Sequence, residues 1–156
     1  MSAAGYVDKA AELSPCGLYR YTLRRTWDRS VSAVVFVGLN PSTADAERDD
    51  PTLRRCVSFA RAWGYGGVVM VNLFAFRATD PKDMKRARDP VGVFNDGYIS
   101  EQAQAAGCVV AVWGAGGRHL NRDLAVMRLL RACGVKPLCL GTTNDGSPRH
   151  PLYLPK

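Results

Sequence analysis

The sequence predicts an α/β fold, a three-layer α/β/α sandwich whose central parallel sheet has about four strands. Short apolar runs rich in β-branched residues recur along the chain, and each is typical of a strand buried on both faces. Helical patterns lie between these runs, and such alternation indicates parallel strands joined by crossover helices. Because the chain has 156 residues, of which 47% are apolar, we expect one domain over residues 1–156.

The N-terminal part precedes the predicted parallel sheet. Residues 1–17 are weakly patterned, so they are predicted to form a loosely held arm or a short helix ending at Ser14-Pro15. Residues 18–27 alternate apolar with polar side chains, which is typical of an exposed edge strand or hairpin arm. The first buried strand is predicted at about 33–38, and it runs into a polar loop that begins at Asn40-Pro41.

Three more strands are predicted, with helices between them. Asp49-Asp50-Pro51 is typical of a helix start, because acids and a first-turn proline suit the N-terminal end of a helix. The remaining predictions are, in chain order, a strand at 67–72, a long basic loop with a short helix at 78–94, a helix at 95–106, a strand at 108–113, a helix at 120–133 and a strand at 137–141.

Charge and composition narrow the class of protein. The net charge of +7 and the pI of about 9.4 favour a polyanionic partner, nucleic acid first. Five cysteines without a Cys-x-x-Cys pair, and two histidines, indicate reduced thiols in a cytoplasmic protein without a metal site or cofactor. No apolar run reaches the length of a membrane span, and we expect a monomer.

Polar groups follow each predicted strand. Asn40 and Asn72 end two of the strands, Gly114–Gly117 follow the third, and the tail carries Asn144, Asp145 and His150. Carboxyl ends of parallel strands meet at one edge of a sheet, where α/β proteins bind their ligands. An asparagine amide offers a donor and an acceptor and can pair with a base edge, so the pattern predicts a site for a nucleobase.

Four short motifs carry a resemblance to a known superfamily. Gly38-Leu39-Asn40-Pro41-Ser42 resembles the water-activating motif of the uracil-DNA glycosylase superfamily, in the form of its mismatch-specific branch. Val71-Asn72-Leu73 is similar to the strand end that reads the flipped base, and Val112-Trp113-Gly114 resembles the third-strand motif. Residues 147–154 resemble the loop that supplies the catalytic histidine and a wedge leucine.

The chain departs from that superfamily at two positions. Tyr153 stands where the glycosylases have proline, and Ser42 stands where the uracil enzymes have an aromatic gate. Over nearly its whole length the sequence also resembles a compact bacterial and phage family of uncharacterised function, through its Leu-Asn-Pro-Ser-Thr-Ala-Asp, Trp-Gly-Tyr and Arg-His-Pro-Leu-Tyr segments.

The glycosylase resemblance implies a role for each candidate residue. His150 would stabilise the departing base and Asn40 would orient water, with Asp45, Asp49 or Asp50 as acid partner. Base binding is assigned to Asn72, Ser42, Thr43, Phe36, Phe74 and Trp113. DNA or phosphate binding is assigned to Gly114, Gly116, Gly117, Arg77, Arg118, Ser147, Arg149, Tyr153 and Leu154. The expected substrate is double-stranded DNA with a flipped, 5-substituted pyrimidine, such as glucosylated hydroxymethylcytosine, in repair or in defence against phages.

Other interpretations of the same residues stay open. Asp49-Asp50 also fits a purely structural helix start, Asn72 a turn cap, and His150 a surface position. The protein could instead process a free nucleotide or modified nucleoside with Gly114–Gly117 as its phosphate loop, or bind modified DNA without catalysis.

Overall fold

The computed structural model describes residues 5–153, which form an α/β fold around one mixed sheet of six strands. The strands are β1 (Asp8–Leu13), β2 (Arg20–Thr26), β3 (Ala33–Gly38), β4 (Gly67–Asn72), β5 (Cys108–Ala111) and β6 (Leu138–Cys139). The α-helices are α1 (Pro51–Ala62), α2 (Pro81–Arg86), α3 (Asn95–Ala105) and α4 (Arg122–Ala132). Two 3₁₀ segments cover Ala115–Asn121 and Pro151–Tyr153.

The sheet order is β1-β2-β4-β3-β5-β6. The last four strands in this order are parallel, whereas β2 pairs with β4 and β1 pairs with β2 in antiparallel fashion. The α/β class is therefore confirmed, and the sheet is larger and more mixed than the sequence predicts. A parallel four-strand core is extended on one side by the N-terminal hairpin.

The helices cover the two faces of the sheet. Alternating strand residues such as Phe36 and Met70 pack with Leu53 of α1 in one core cluster. The intervening residues, such as Val35 and Val71, pack in a second cluster with Ile99 of α3 and with Val126 and Leu130 of α4. The parallel strands β3, β4 and β5 are thus buried on both faces, which explains their continuous apolar runs.

The chain direction creates a crevice at one edge of the sheet. The neighbours β3 and β5 are followed by α1 and α4, which lie on opposite faces. Loops that leave adjacent parallel strands in opposite directions open a space between them, and α/β proteins bind ligands at this switch point.

The N-terminal prediction is wrong for the described residues. In place of a loosely held arm, β1 pairs with β2 from Asp8↔Thr26 to Leu13↔Arg20. The Tyr6 hydroxyl donates to Asp49 at 2.9 Å, and burial together with this hydrogen bond raises the pKa of Tyr6 to about 12. Residues 1–17 carry only a weak pattern, so the sequence shows no strand there, although β1 and β2 are consecutive along the chain. Residues 1–4 lie outside the described part.

The prediction for residues 18–27 is confirmed as a hairpin arm and wrong as an exposed edge strand. β2 lies between β1 and β4, and most of its side chains are buried. Alternation of apolar and polar residues normally indicates one wet face, but here the polar residue Arg25 is fully buried and pairs with Asp49 at 2.9 Å. A partner on another element makes that burial possible.

The C-terminal elements are shorter than predicted. β6 has two residues, both exposed, because it is the short strand at the open edge of the sheet. The helix predicted from residue 120 begins at Arg122, after Leu120 and Asn121 with left-handed backbone. In residues 5–153 none of the helices is long and apolar enough to cross a membrane.

Candidate functional site

A cleft of about 460 Å³ opens at the carboxyl ends of the parallel strands, at the switch point. Its walls come from every strand-end loop that the sequence singles out, and from β2, the loop before α2 and the C-terminal tail. The lining residues that matter below are Arg20, Gly38, Leu39, Asn40, Ser42, Asp50, Asn72, Ala78, Thr79, Pro81, Lys85, Trp113, Gly114, Gly116 and His150.

Asn40 follows β3 and is held by its amide nitrogen. Its Nδ2 donates to the carbonyls of Ala78 at 2.8 Å and of Pro41 at 3.1 Å. The following proline restricts its backbone to an extended conformation. Because the nitrogen is engaged, the amide oxygen is the atom of this side chain that can accept a hydrogen bond from a bound molecule.

Asn72 ends β4 and is 3% exposed, and it also lines the cleft. Its Nδ2 has no hydrogen-bond partner among residues 5–153. Gly38 lies beside it in the parallel register, and a Cβ at position 38 would come within 2.8 Å of Asn72 Oδ1. A buried donor without a partner costs about 1–3 kcal/mol, so its presence in a cleft indicates a binding role.

His150 lies in the tail and is half-buried at the cleft. Its Nδ1 accepts a hydrogen bond from the backbone N–H of Leu152 at 3.2 Å. Since Nδ1 must then carry a lone pair, the neutral ring has its proton on Nε2. Burial lowers the pKa of His150 below its usual 6.5, and Asp50 opposes this shift more weakly. The ring is therefore a neutral Nε2–H donor at pH 7.

The three candidate acids are separated by the fold. Asp49 binds Arg25 and Tyr6, and Asp45 accepts backbone N–H groups of Glu47 and Arg48, which lowers the pKa of Asp45. Asp50 alone of the three lines the cleft.

Asp50 also caps α1. Its Oδ1 accepts from Leu53 N at 2.8 Å, and Oδ2 accepts from Ala44 N at 3.3 Å. The structural interpretation of Asp50 as a helix start is therefore confirmed. It places a carboxylate at the cleft wall at the same time.

The aromatic and hydroxyl candidates fall into two groups. Trp113 and Ser42 line the cleft; Ser42 is half-buried, and Trp113 is 4% exposed and also belongs to one of the core clusters. Phe36 and Phe74 are fully buried in the two core clusters, where Phe36 stacks on Trp63, and Thr43 is exposed. Phe36 and Phe74 alternate into the core with their apolar strand neighbours, so sequence patterning alone could not separate them from Trp113.

The glycine loop after β5 serves close packing. A Cβ on Gly117 would approach Trp113 Cδ1 to 2.3 Å, and one on Gly116 would approach Leu39 Cδ2 to 2.9 Å. The N–H of Gly114 donates to Pro148 O, and that of Gly117 to Gly114 O. The N–H groups of Gly114 and Gly117 are therefore already hydrogen-bonded within the protein. Gly114 and Gly116 both line the cleft.

Of the three basic candidates, Arg149 lines a second cleft, whereas Arg77 and Arg118 do not. This space, also about 460 Å³, is lined by Thr142, Thr143, Asn144 and Arg149, and it shares Gly114, Ala115 and His150 with the first. Arg118 pairs with Asp145 at 3.2 Å, and Arg77 donates to Gly17 O at 3.3 Å.

The tail loop that carries these groups is held together by its own hydrogen bonds. Ser147 is buried, and its N–H donates to Asp145 and Thr143. Thr143 donates to Asp145, which, with the Ser147 bond, lowers the pKa of Asp145 to about 2. Tyr153 ends the second 3₁₀ segment, and Leu154 lies outside the described residues.

Sequence reasoning missed Arg20, which lines the cleft and is 3% exposed. The register of β1 and β2 shifts from Glu12↔Thr22 to Leu13↔Arg20, so Tyr21 is an extra residue in a β-bulge. Tyr21 stacks on Tyr98 of α3 with ring centroids 4.9 Å apart, while Arg20 reaches the opposite face. Bulges re-aim side chains in this way, and no local pattern predicts one here.

Lys85 and Thr79 were also missed as individual residues. They belong to the basic segment 78–94, which brings Ala78, Thr79, Pro81 and Lys85 to the cleft. No group of three potential metal-ligating side chains is found within the described part of the chain.

The fold thus defines an α/β protein with a cleft, lined in part by polar side chains, at the switch point of its parallel strands. A family model for DUF1643, described as a protein of unknown function, matches residues 20–152, and the chain belongs to this family. No curated protein and no solved structure matches the chain.

Proposed function

We propose that this protein is a DNA glycosylase that flips a modified base into the cleft and hydrolyses its N-glycosidic bond. One observation carries the proposal: Asn40, Asn72 and His150, which come from three separate segments, line a single cleft. This is the set that the glycosylase resemblance assigns to water, base and leaving group. The basic surface supplies the attraction to DNA.

The chemistry follows from the atoms that each group presents. The Nε2–H of His150 donates to a carbonyl oxygen of the base as negative charge builds there. The C1′–N bond breaks with its electron pair on the base, and water adds at C1′. The Oδ1 of Asn40 accepts from that water and orients it, because Nδ2 is held by two carbonyls.

Asp50 is the proposed acceptor of the proton that the water loses. Among the three acids it is the one in the cleft wall, so the proposed mechanism gives Asp45 and Asp49 no role in accepting this proton. Trp113 is the proposed stacking partner of the base, and Phe36 and Phe74 are left to the core.

The proposed substrate is a 5-substituted pyrimidine, in repair or in defence against phages with modified DNA. Ser42 is too small to close the cleft where uracil enzymes have an aromatic residue. The volume of about 460 Å³ falls in the range of sites for drug-sized ligands, which exceed a bare pyrimidine. Thr79 and Lys85 supply polar groups for a hydroxyl-bearing or sugar-like substituent.

The substrate assignment is tested with duplexes that carry uracil, thymine, 5-hydroxymethylcytosine or its glucosylated form. We expect release of the bulky bases, and selective loss of that release in Ser42→Tyr, since the ring would occupy the open wall. Thr43→Tyr is the matched control, because Thr43 is exposed and neighbours Ser42. Fast release of uracil alone, with Ser42→Tyr unaffected, would overturn the assignment.

A second candidate is processing of a free nucleotide or modified nucleoside. The neighbouring cleft with Thr142, Thr143, Asn144 and Arg149 favours it, because hydroxyls and a guanidinium suit a phosphate beside a base site. Hydrolysis of free nucleotides with no release from DNA would select this candidate. Binding of modified DNA without release of any base would select a non-catalytic module.

A further inference from the structure

Two arginines of β2 are almost completely buried, and their surroundings differ. Arg25, fully buried, gives its Nε to Asp49 at 2.9 Å and further hydrogen bonds to the carbonyls of Arg24, Asp45 and Arg48. Its charge is therefore compensated by a carboxylate in contact, as buried charges require.

Arg20 lacks such compensation. Its Nη1 donates to Ala44 O at 2.8 Å, and its Nε has no hydrogen-bond partner within residues 5–153. None of the ion pairs of the described residues includes Arg20. Burial lowers the pKa of Arg20 to about 10, against a weaker opposite effect of Asp50, so the group stays protonated at neutral pH.

The position of Arg20 shows where a compensating anion would lie. The bulge at Tyr21 turns Arg20 into the wall of the same cleft that holds Asn72 and His150. Arg20 and Asn72 thus line one space, and each carries a buried donor, Nε and Nδ2 respectively, that has no partner among residues 5–153. A ligand rich in acceptors and carrying negative charge matches these donors.

We propose that Arg20 is the cation that binds the negatively charged form of the base as the N-glycosidic bond breaks. The inference rests on the proposed function for the identity of the anion. When the bond breaks heterolytically, the electron pair stays on the base nitrogen and spreads to its carbonyl oxygens. A buried guanidinium holds such a planar anion with charge-assisted hydrogen bonds, and water returns the proton after release.

The test measures binding of two free bases by titration calorimetry, so it does not depend on excision. The probes are 5-nitrouracil, which is anionic near neutral pH, and uracil, which is neutral. We expect the wild type to prefer 5-nitrouracil by about tenfold or more, the worth of a hydrogen bond to a charged group. Arg20→Met should reduce the preference to about onefold, and Arg20→Lys, which keeps the charge without Nε, should retain part of it.

Two matched controls separate Arg20 from other cations. Arg25→Met removes a buried charge from the same strand outside the cleft lining, and Lys82→Met removes an exposed charge of α2 that is also outside the lining. Both should keep the preference for the anion. Thermal unfolding checks that each variant folds. If Arg20→Met does not fold, the same binding comparison is made with Arg20→Lys and Arg20→Gln.

The outcomes distinguish the inference from the proposed function. An unchanged preference in folded Arg20→Met, or absence of any preference in the wild type, overturns the role of Arg20. The preference could depend on Arg20 while the protein releases no base from any DNA. That result would support the anion site and refute excision.

Discussion

Asn72 and Asn95 are both buried asparagines, and their side-chain amide nitrogens differ in their hydrogen bonds. Asn95 gives its Nδ2 to the carbonyls of Asn72 at 2.9 Å and of Leu73 at 3.1 Å. Asn72, in contrast, lines the cleft, and its Nδ2 has no partner among residues 5–153. Within those residues Asn95 also has an unpaired buried atom, its Oδ1, but Asn95 does not line the cleft, whereas Asn72 lies where the proposed base would bind.

Asn72→Leu should therefore leave the free energy of unfolding unchanged or raise it by up to about 1 kcal/mol, because an unpaired buried donor is removed. Excision should fall on the order of a hundredfold or more. Asn95→Leu is the control and should cost at least about 2 kcal/mol, because it strips two buried carbonyls of a donor. Denaturant unfolding measures both variants, and a large loss of stability in Asn72→Leu would assign that residue to the fold.

His150 makes the site dependent on pH. Because its folded pKa lies below the unfolded value of 6.5, the stability that the neutral ring contributes is present above pH 6.5 and lost as pH falls through the folded pKa. Protonation also places a hydrogen on Nδ1, where it opposes the N–H of Leu152.

Excision should accordingly hold constant above pH 6.5 and decline on acidification through that lowered pKa. In His150→Gln an amide can still donate but cannot titrate, so the remaining activity should lose this acidic limb. His150→Ala should lose on the order of a hundredfold in rate. Rate profiles in which His150→Gln keeps the wild-type acidic limb would assign that limb to another group.

At the scale of elements, the N-terminal hairpin of β1 and β2 holds one wall of the cleft in place. β1 covers the outer edge of β2, and β2 carries Arg20 to the cleft and Arg25 to Asp49. An uncovered strand edge exposes unpaired backbone groups and invites association with other chains.

Deletion of residues 1–13 should reduce the free energy of unfolding by at least about 2 kcal/mol, since it removes β1 and the Tyr6 bond to Asp49. It should also increase aggregation. Deletion of residues 1–4 is the control, because Tyr6 and β1 stay in place. Equal stability of the two truncated chains in denaturant unfolding would show that the segment is held as loosely as its sequence pattern suggests.

The elements that sequence predicts well are those with local causes. The apolar runs of β3, β4 and β5 follow from burial on both faces, and α1 follows from Asp50 as cap and Pro51 in the first turn. The bulge at Tyr21 depends on the register in which β2 pairs with β1, and the pattern within β2 does not show that register. Likewise, Asp49 and Asp50 are adjacent in sequence. The geometry of their loop places Asp49 against Arg25 and Asp50 in the cleft wall, and local pattern does not predict this difference.

At the scale of the whole molecule, the net charge of +7 should dominate association with DNA. Affinity should fall on the order of a hundredfold between about 50 and 200 mM salt if about four phosphates are contacted, because bound counterions are released. Fluorescence anisotropy with a labelled duplex measures this slope. An affinity that stays flat over this range would favour a free nucleotide as ligand.

The strand-end polar groups were predictable because parallel strands gather their carboxyl ends at one edge, and the cleft does contain Asn40, Asn72 and His150. The presence of Arg20 in this cleft was not predictable. β2 is antiparallel to β4, so Arg20, the first residue of β2, lies at the edge where β4 ends. Four parallel strands and a hairpin arm could be deduced from local patterns, but the strand at Asp8–Leu13 and the antiparallel pairing of β2 with β4 could not.

Release of a base from modified DNA tests the central claim most directly. Duplexes with 5-hydroxymethylcytosine or its glucosylated form are incubated with the protein, and mass spectrometry counts the free base and the abasic sites together. The account predicts both products in equal amounts from the wild type, and on the order of a hundredfold less from Asn72→Leu. Intact DNA after incubation with folded wild-type protein, across these and the uracil and thymine duplexes, would contradict it.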